Sequence, residues 1–293
     1  MPNHSPNTTE LVPLYPFLYE ETVRRALFED FGGRGDVTTD AVVAPDDRAT
    51  ARIVARAPGR IAGIEVAGFA FRCLDSGLKY GARVRDGKDA AAGETLAVVQ
   101  GAARPILSAE RTALNFLAGL SGIATATRDI AALIAAYSAR VVCTRKTTPG
   151  LRVLEKYAVR AGGGSNHRFG LDDALLIKDN HIVVAGGVSE AIQRARHHAG
   201  HMAKIEVEVD TLEQLETALR EEIDAVLLDN MPVPVLAEAV RMVNKRVITE
   251  ASGGISAQTA EAVAATGVDF ISIGWITHSA PALDLSLDFA FEL

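Results

Sequence analysis

Three short segments of the 293-residue chain gather side chains suited to small, highly charged anions. TRKTT (144–148) lines up Thr144, Arg145 and Lys146, GGGSNHR (162–168) carries His167 and Arg168, and LLIKDNH (175–181) carries Lys178. Arginine offers a planar two-pronged donor for carboxylates, and lysine acts as a compact point charge. Carboxylates stand against this basic half. Glu206, Glu208 and Asp210 alternate in IEVEVD (205–210), so a strand would put them on one face, and Asp229 follows in VLLDNM (226–231). Acidic groups opposite a basic cluster suggest Mg²⁺ held jointly with a phosphorylated substrate. Ser252, Gly253 and Gly254 before a helical stretch offer backbone N–H groups to a phosphate, and Gly274 would let one approach the backbone closely. Together these residues point to an enzyme that handles a phosphosugar and a small anionic acid.

The elements around them explain why residues so far apart would meet. From 140 onward the chain alternates strand-like runs (140–144, 174–177, 205–209, 225–228, 247–249, 270–273) with helix-like runs (189–199, 212–220, 235–243, 257–265). Thr211 and Ser256 stand as N-caps of two of these helices. Such alternation implies a parallel sheet, whose ligands sit at the carboxyl ends of the strands. Every expected strand ends in charged, hydroxyl or glycine residues at that edge. Taken singly, each has a plain reading: Arg-Lys as a solvated turn, the three glycines as a flexible loop, Asp229-Asn230 as a turn before Pro232, Glu206 and Glu208 on an exposed strand face. Independent surface turns would not all load one edge. About six strands fall short of the eight of a standard barrel, so the expectation is an irregular, incomplete βα barrel over 120–293.

Upstream, 1–119 reads as an open α+β sandwich domain. A helix is expected over 18–31, strands over 51–56, 59–68 and 96–101, and one or two helical turns over 69–76. Residues 105–136 read as one or two helices, with Gly119 and Gly122 as the candidate break and the domain junction nearby. Residues 1–10, polar and proline-punctuated, read as a disordered tail.

Composition excludes several classes of function. Apolar residues make up 48% and charged residues 23%, which is globular composition. Thirty Lys and Arg against 37 Asp and Glu give a net charge of −7, with no basic excess for nucleic acid. Cys73 and Cys143 have no disulfide or metal spacing and read as reduced thiols, Cys143 as packing. With no apolar run of spanning length and no signal-type N-terminus, the chain reads as cytoplasmic, without membrane or nucleic-acid partners. His197, His198 and His201 read as solvated surface residues.

These segments, with EASGGI (250–255), THS (277–279), GDVTTD (35–40) and AERTALN (109–115), resemble quinolinate phosphoribosyltransferases in the same order over about 20–290. The resemblance implies phosphoribosyl transfer from phosphoribosyl pyrophosphate to quinolinate with decarboxylation, giving nicotinate mononucleotide, pyrophosphate and CO₂, with Mg²⁺. It also implies a homodimer with sites at the subunit boundary. Carried over by position, Arg145, His167, Arg168 and Lys178 resemble the quinolinate pocket, and Thr144 belongs with these substrate-binding positions. Lys146 matches a position contacting both substrates, and Arg111 the arginine donated by the partner. Glu208 and Asp229 resemble the pair holding Mg²⁺ and the ribose hydroxyls. Ser252, Gly253, Gly254, Ile273 and Gly274 resemble the 5′-phosphate site, and Lys146, Lys178, Glu208 and Asp229 are the catalytic candidates. Two other readings stay open: a molybdenum-transport-associated paralogue with a different acid, and a non-catalytic phosphosugar-binding protein. One departure is Trp275, the only tryptophan, where a small residue is expected. Its ring either packs under the barrel rim or narrows the phosphate end of the pocket.

Overall fold

The computed structural model describes residues 11–290; the tail at 1–10 lies outside the described residues. A 3-10 turn, Pro16–Leu18, leads into α1 (Glu20–Phe31), which buries Val23 and Leu27 one turn apart and stops where Gly32 takes φ 50°. Next come α2 (Val37–Val42), β1 (Arg48–Ala55), β2 (Gly59–Arg60) and α3 (Ile64–Leu74). They are followed by β3 (Lys79–Ala82), β4 (Asp89–Ala90), β5 (Thr95–Ala102) and α4 (Ala103–Leu133).

One expectation fails here for a physical reason. The strand expected at 59–68 shrinks to Gly59–Arg60, and the helix expected over 69–76 occupies Ile64–Leu74 instead. Its β-branched Ile64 and Val66 suggested a strand. However, Ile64, Ala67 and Phe71 recur at helical spacing and are buried, so burial of that stripe overrides β propensity. Of the one or two helices expected over 105–136 there is one, α4, which continues through Gly119 and Gly122 without a break. A Cβ on Gly122 would lie 2.2 Å from the Pro281 carbonyl oxygen, so this glycine permits a close backbone approach rather than ending a helix.

The GDVTTD segment has a structural role. Asp36 caps α2, with Oδ1 accepting the Thr39 amide (2.9 Å) and Oδ2 accepting the hydroxyls of Thr39 (2.6 Å) and Ser108 (2.8 Å). The Thr39 hydroxyl first, then its amide, hold the Asp36 carboxyl below the usual carboxylate range. A folded value below the unfolded one stabilises the fold above the unfolded value, and that stabilisation fades as pH falls through the folded one. Asp36→Ala should therefore cost about 1–2 kcal/mol in urea unfolding at neutral pH. The gap between variant and parent should close as pH drops below about 3.9. A gap that does not depend on pH would refute the capping role.

The later elements are β6 (Arg140–Val142), α5 (Arg152–Ala161), β7 (Leu175–Ile177), α6 (Asp179–Ala185), α7 (Val188–His198) and β8 (Ile205–Val209). After them come α8 (Leu212–Ala218), β9 (Ala225–Asp229), α9 (Val233–Val243), β10 (Ile248–Ser252), α10 (Ala260–Ala264) and β11 (Phe270–Ser272). A single turn, α11 (Trp275–His278), precedes β12 (Leu285–Ala290). All six expected strands of this half are present, and they pair in parallel in the order β6-β11-β10-β9-β8-β7. The wall is irregular: β6 and β7 are the edge strands, and Ser165 makes an isolated parallel bridge to Val142 beside β6. Thr211 caps α8 as expected, accepting the Gln214 amide (3.2 Å). Ser256 does not cap a helix. It closes a turn with Thr259, and α10 begins only at Ala260.

The chain forms two compact units, and they interleave in sequence. Residues 153–163 and 280–290 group with the first unit, and the division falls inside α4 after Thr125. In the first unit, β12 pairs antiparallel with β1, giving the sheet order β12-β1-β5-β3. In α5, Tyr157 donates to Asp86 (2.7 Å), whose second oxygen accepts the Ile64 amide (3.0 Å). Burial pushes the Asp86 carboxyl up despite these donors.

Candidate active site

Because the six strands of the second unit are parallel, their carboxyl ends share one edge, and the register decides which side chains become neighbours. Ile177 lies opposite Val207, so Lys178 falls beside Glu208, and Lys178 Nζ donates to Glu208 Oε2 at 2.5 Å. Val209 lies opposite Leu228, which brings Asp210 level with Asp229. Burial first, then the charges of Asp229 and Asp179, push the Asp210 carboxyl up. Ser252 lies opposite Asp229, and Ser272 opposite Val142, so Gly274 falls level with Thr144. A Cβ on Gly274 would lie 3.0 Å from Lys146 Cδ and 3.5 Å from Thr144 Oγ1. The Thr144 hydroxyl also accepts the Lys146 amide (3.0 Å), and the Thr277 hydroxyl donates to the Lys146 carbonyl (2.8 Å).

The basic half is crowded. Arg168 is pushed below its ordinary value first by burial and then by the positive charge of Arg145, while Glu206 and Asp173 pull it back. Arg168 Nη1 donates to the Ala174 carbonyl (2.7 Å), and the buried Nε of Arg145 has no hydrogen-bond partner. Arg152, not foreseen from the sequence, ties two of the loops, donating from Nε to Thr147 Oγ1 (3.0 Å) and from Nη1 to the Phe169 carbonyl (2.9 Å).

His167 is oriented from both sides. Its Nδ1 accepts the Arg168 amide at 2.7 Å. Nε2 in turn lies 3.0 Å from Glu206 Oε2 and 3.7 Å from Glu250 Oε1. The imidazole is thus an oriented group flanked by two carboxylates. His167, Glu206 and Glu250 bring three ligand-type atoms within 4.8 Å of one another. Glu250, buried in β10, and the outward signal of EVE in β8 were both visible in the sequence, but their convergence on His167 was not.

The phosphate-type segment has the backbone its glycines suggest. Gly253 and Gly254 take φ 96° and 58°, in the left-handed region open to glycine. A Cβ on Gly253 would collide with Asn230 (Oδ1 at 2.1 Å), and the Asn230 amide donates to the Ser252 carbonyl (3.0 Å). The run Gly162-Gly163-Gly164 has a different task. Gly162 and Gly163 close the end of α5 through amides donated to Ala158 and Arg160, with Gly163 at φ 89°. Cys143 is buried with Sγ 3.4 Å from Asn166 Oδ1. Arg111 is exposed on α4, in the first unit.

The arrangement matches known proteins over nearly its whole length. The family models for the quinolinate phosphoribosyl transferase N-terminal and C-terminal domains match residues 36–121 and 123–288. The chain belongs to the quinolinate phosphoribosyltransferase family. It is 45% identical to the nicotinate-nucleotide pyrophosphorylase [carboxylating] of Mycobacterium leprae over 276 residues, covering 92% of this chain and 96% of that protein. To the probable enzyme of the same name from Bacillus subtilis it is 43% identical over 256 residues, covering 87% of this chain and 88% of that one. The solved nicotinate-nucleotide pyrophosphorylase from Francisella tularensis superposes with a TM-score of 0.90 at 38% identity, covering 97% of this chain and all of that one. NadC from Streptococcus pyogenes gives 0.91 at 37%, covering 96% of this chain and all of that one. Within this family frame, the strand-edge residues Lys178, Glu208, Asp229, Ser252 and Gly274 lie in the C-terminal domain match, and Arg111 in the N-terminal one.

Proposed function

We propose that this chain transfers the phosphoribosyl group of phosphoribosyl pyrophosphate to quinolinate and decarboxylates the product, giving nicotinate mononucleotide, pyrophosphate and CO₂. The observation that carries the reading is the pair of guanidiniums on neighbouring loops, Arg168 fixed by the Ala174 carbonyl (2.7 Å) and Arg145 with a buried Nε that has no hydrogen-bond partner. Such a pair suits a small ring acid with two adjacent carboxylates. Lys178 and the exposed Lys146 extend the positive field along the edge, and His167 offers an oriented ring beside it.

The chemistry follows from charge. The pyridine nitrogen forms a bond to the anomeric carbon as the bond to pyrophosphate breaks. The alkylated ring then draws in the electron pair of the adjacent C–C bond, CO₂ departs, and that ring carbon takes up a proton. Positioning supplies much of the rate, because the arginines hold both carboxylates while the nitrogen faces the sugar. Lysines near the departing group stabilise its growing negative charge.

The donor set fits Mg²⁺. Asp229 and Asp210 present hard oxygens at neighbouring strand ends, and a cation there would offset the burial and the nearby charges that push the Asp210 carboxyl up. Glu208, paired with Lys178, would add a further oxygen. When bound, Mg²⁺ neutralises pyrophosphate oxygens. Ser252, Gly253, Gly254, Ile273 and Gly274 would receive the 5′-phosphate. We further propose a cytoplasmic homodimer in which Arg111 reaches the partner's site; among the described residues no helix is long and apolar enough to cross a membrane.

One experiment tests these statements together. Purified chain given quinolinate, phosphoribosyl pyrophosphate and Mg²⁺ should release CO₂ and nicotinate mononucleotide in equal amounts, and no CO₂ without the phosphoribosyl donor. Chelation should stop turnover, and light scattering should give a dimer. A folded protein that forms no mononucleotide sinks the reading.

A further inference from the structure

The helical turn α11 stands on β11, the strand between β6 and β10, and its side chains reach the loops on both sides. Toward β6, the buried Thr277 hydroxyl donates to the Lys146 carbonyl (2.8 Å) and lies 3.0 Å from the Gly274 carbonyl. Toward β10, the part-buried Trp275 indole Nε1 donates to the Ile255 carbonyl at 3.2 Å. Ile255 directly follows Gly253 and Gly254, two successive left-handed glycines with no side chains of their own to fix them. On the β9 side this loop is held by the Asn230 amide on the Ser252 carbonyl (3.0 Å). On the β11 side it is held by Trp275.

We infer that Trp275 is a positioning residue for phosphoribosyl recognition, fixing the glycine loop 252–255 so that its backbone amides keep one geometry. The inference rests on the proposed assignment of that loop and Gly274 to the 5′-phosphate. To the two readings of the tryptophan it adds a third: the ring ties two strand-end loops together through its N–H. A glycine pair gains ligand affinity from such a tether because less backbone freedom is lost on binding.

Since Trp275 is the only tryptophan, its emission reports on this loop alone. Ribose 5-phosphate, a probe without the pyrophosphate or the ring acid, should change the intrinsic fluorescence of the parent protein and saturate at the concentration found by calorimetry. Trp275→Phe keeps an aromatic ring and removes the donor. It should raise KM for phosphoribosyl pyrophosphate and Kd for ribose 5-phosphate by about 5–10-fold, as for one lost neutral hydrogen bond. kcat and KM for quinolinate should stay within about twofold. Trp275→His, which retains a ring N–H, should recover part of the loss. Unchanged sugar-phosphate affinity in Trp275→Phe, or an equal rise in both KM values, overturns the inference. So does a silent tryptophan while calorimetry records binding, and this readout needs no variant to fold. If the parent protein binds no ribose 5-phosphate by calorimetry, the phosphate assignment itself falls, which is a distinguishable result.

Discussion

Arg145→Ala is expected to lower kcat/KM for quinolinate by about 10²–10³-fold, the scale of a lost charge-assisted contact to a carboxylate, while the ligand-free protein becomes slightly more stable. The two effects have one cause. Arg145 puts a second positive charge beside the partly buried Arg168 and keeps its own buried Nε without a hydrogen-bond partner. Both features cost stability when the site is empty and reward a dianion when it is full. Removing the side chain relieves the repulsion and deletes the substrate's anchor. Steady-state kinetics and a thermal melt on the same preparation check both halves. A variant that loses activity together with several degrees of melting temperature would mean that Arg145 holds the fold rather than the acid.

Lys178→Ala should be as damaging to activity, by about 10³-fold, but move stability the other way. Lys178 Nζ lies 2.5 Å from Glu208, whose side chain is only 12% exposed. Deleting the lysine leaves that carboxylate poorly solvated and without its counter-charge. Because the lysine itself is 45% exposed, the cost is modest, about 1 kcal/mol, read as a drop of about 2–4 °C. Lys178→Arg should not restore activity, since a planar fork cannot replace a point charge at this spacing. Equal loss of stability in Arg145→Ala and Lys178→Ala would remove the distinction drawn between a strained cation and a paired one.

The site's location was legible because it depends on a local rule. Each strand of the second unit is a short apolar run whose polar terminus is visible in sequence, and parallel pairing brings those termini to one edge. Lys178 and Glu208 were named as separate members of a site, but their contact depends on the register of β7 against β8, which no residue type announces. The type of His167 suggests only a basic side chain, whereas its orientation is fixed by the Arg168 amide and by Glu206, nearly forty residues away. The first unit shows the same limit. What Gly122 serves is a backbone that arrives from Pro281, which no local signal announces, and the period of α3 shows only when its burial is known.

The pairing of β12 with β1 also bears on how this protein comes into being. Arg56 and Asp288, bonded at 2.7 Å beside that strand pair, are 232 positions apart. A ribosome delivers β1 more than two hundred residues before β12, so in that interval the first sheet carries a bare edge, with unpaired N–H and C=O groups open to other strands. This unit is therefore begun long before it is completed. That long interval is where a chaperone would matter most to this chain.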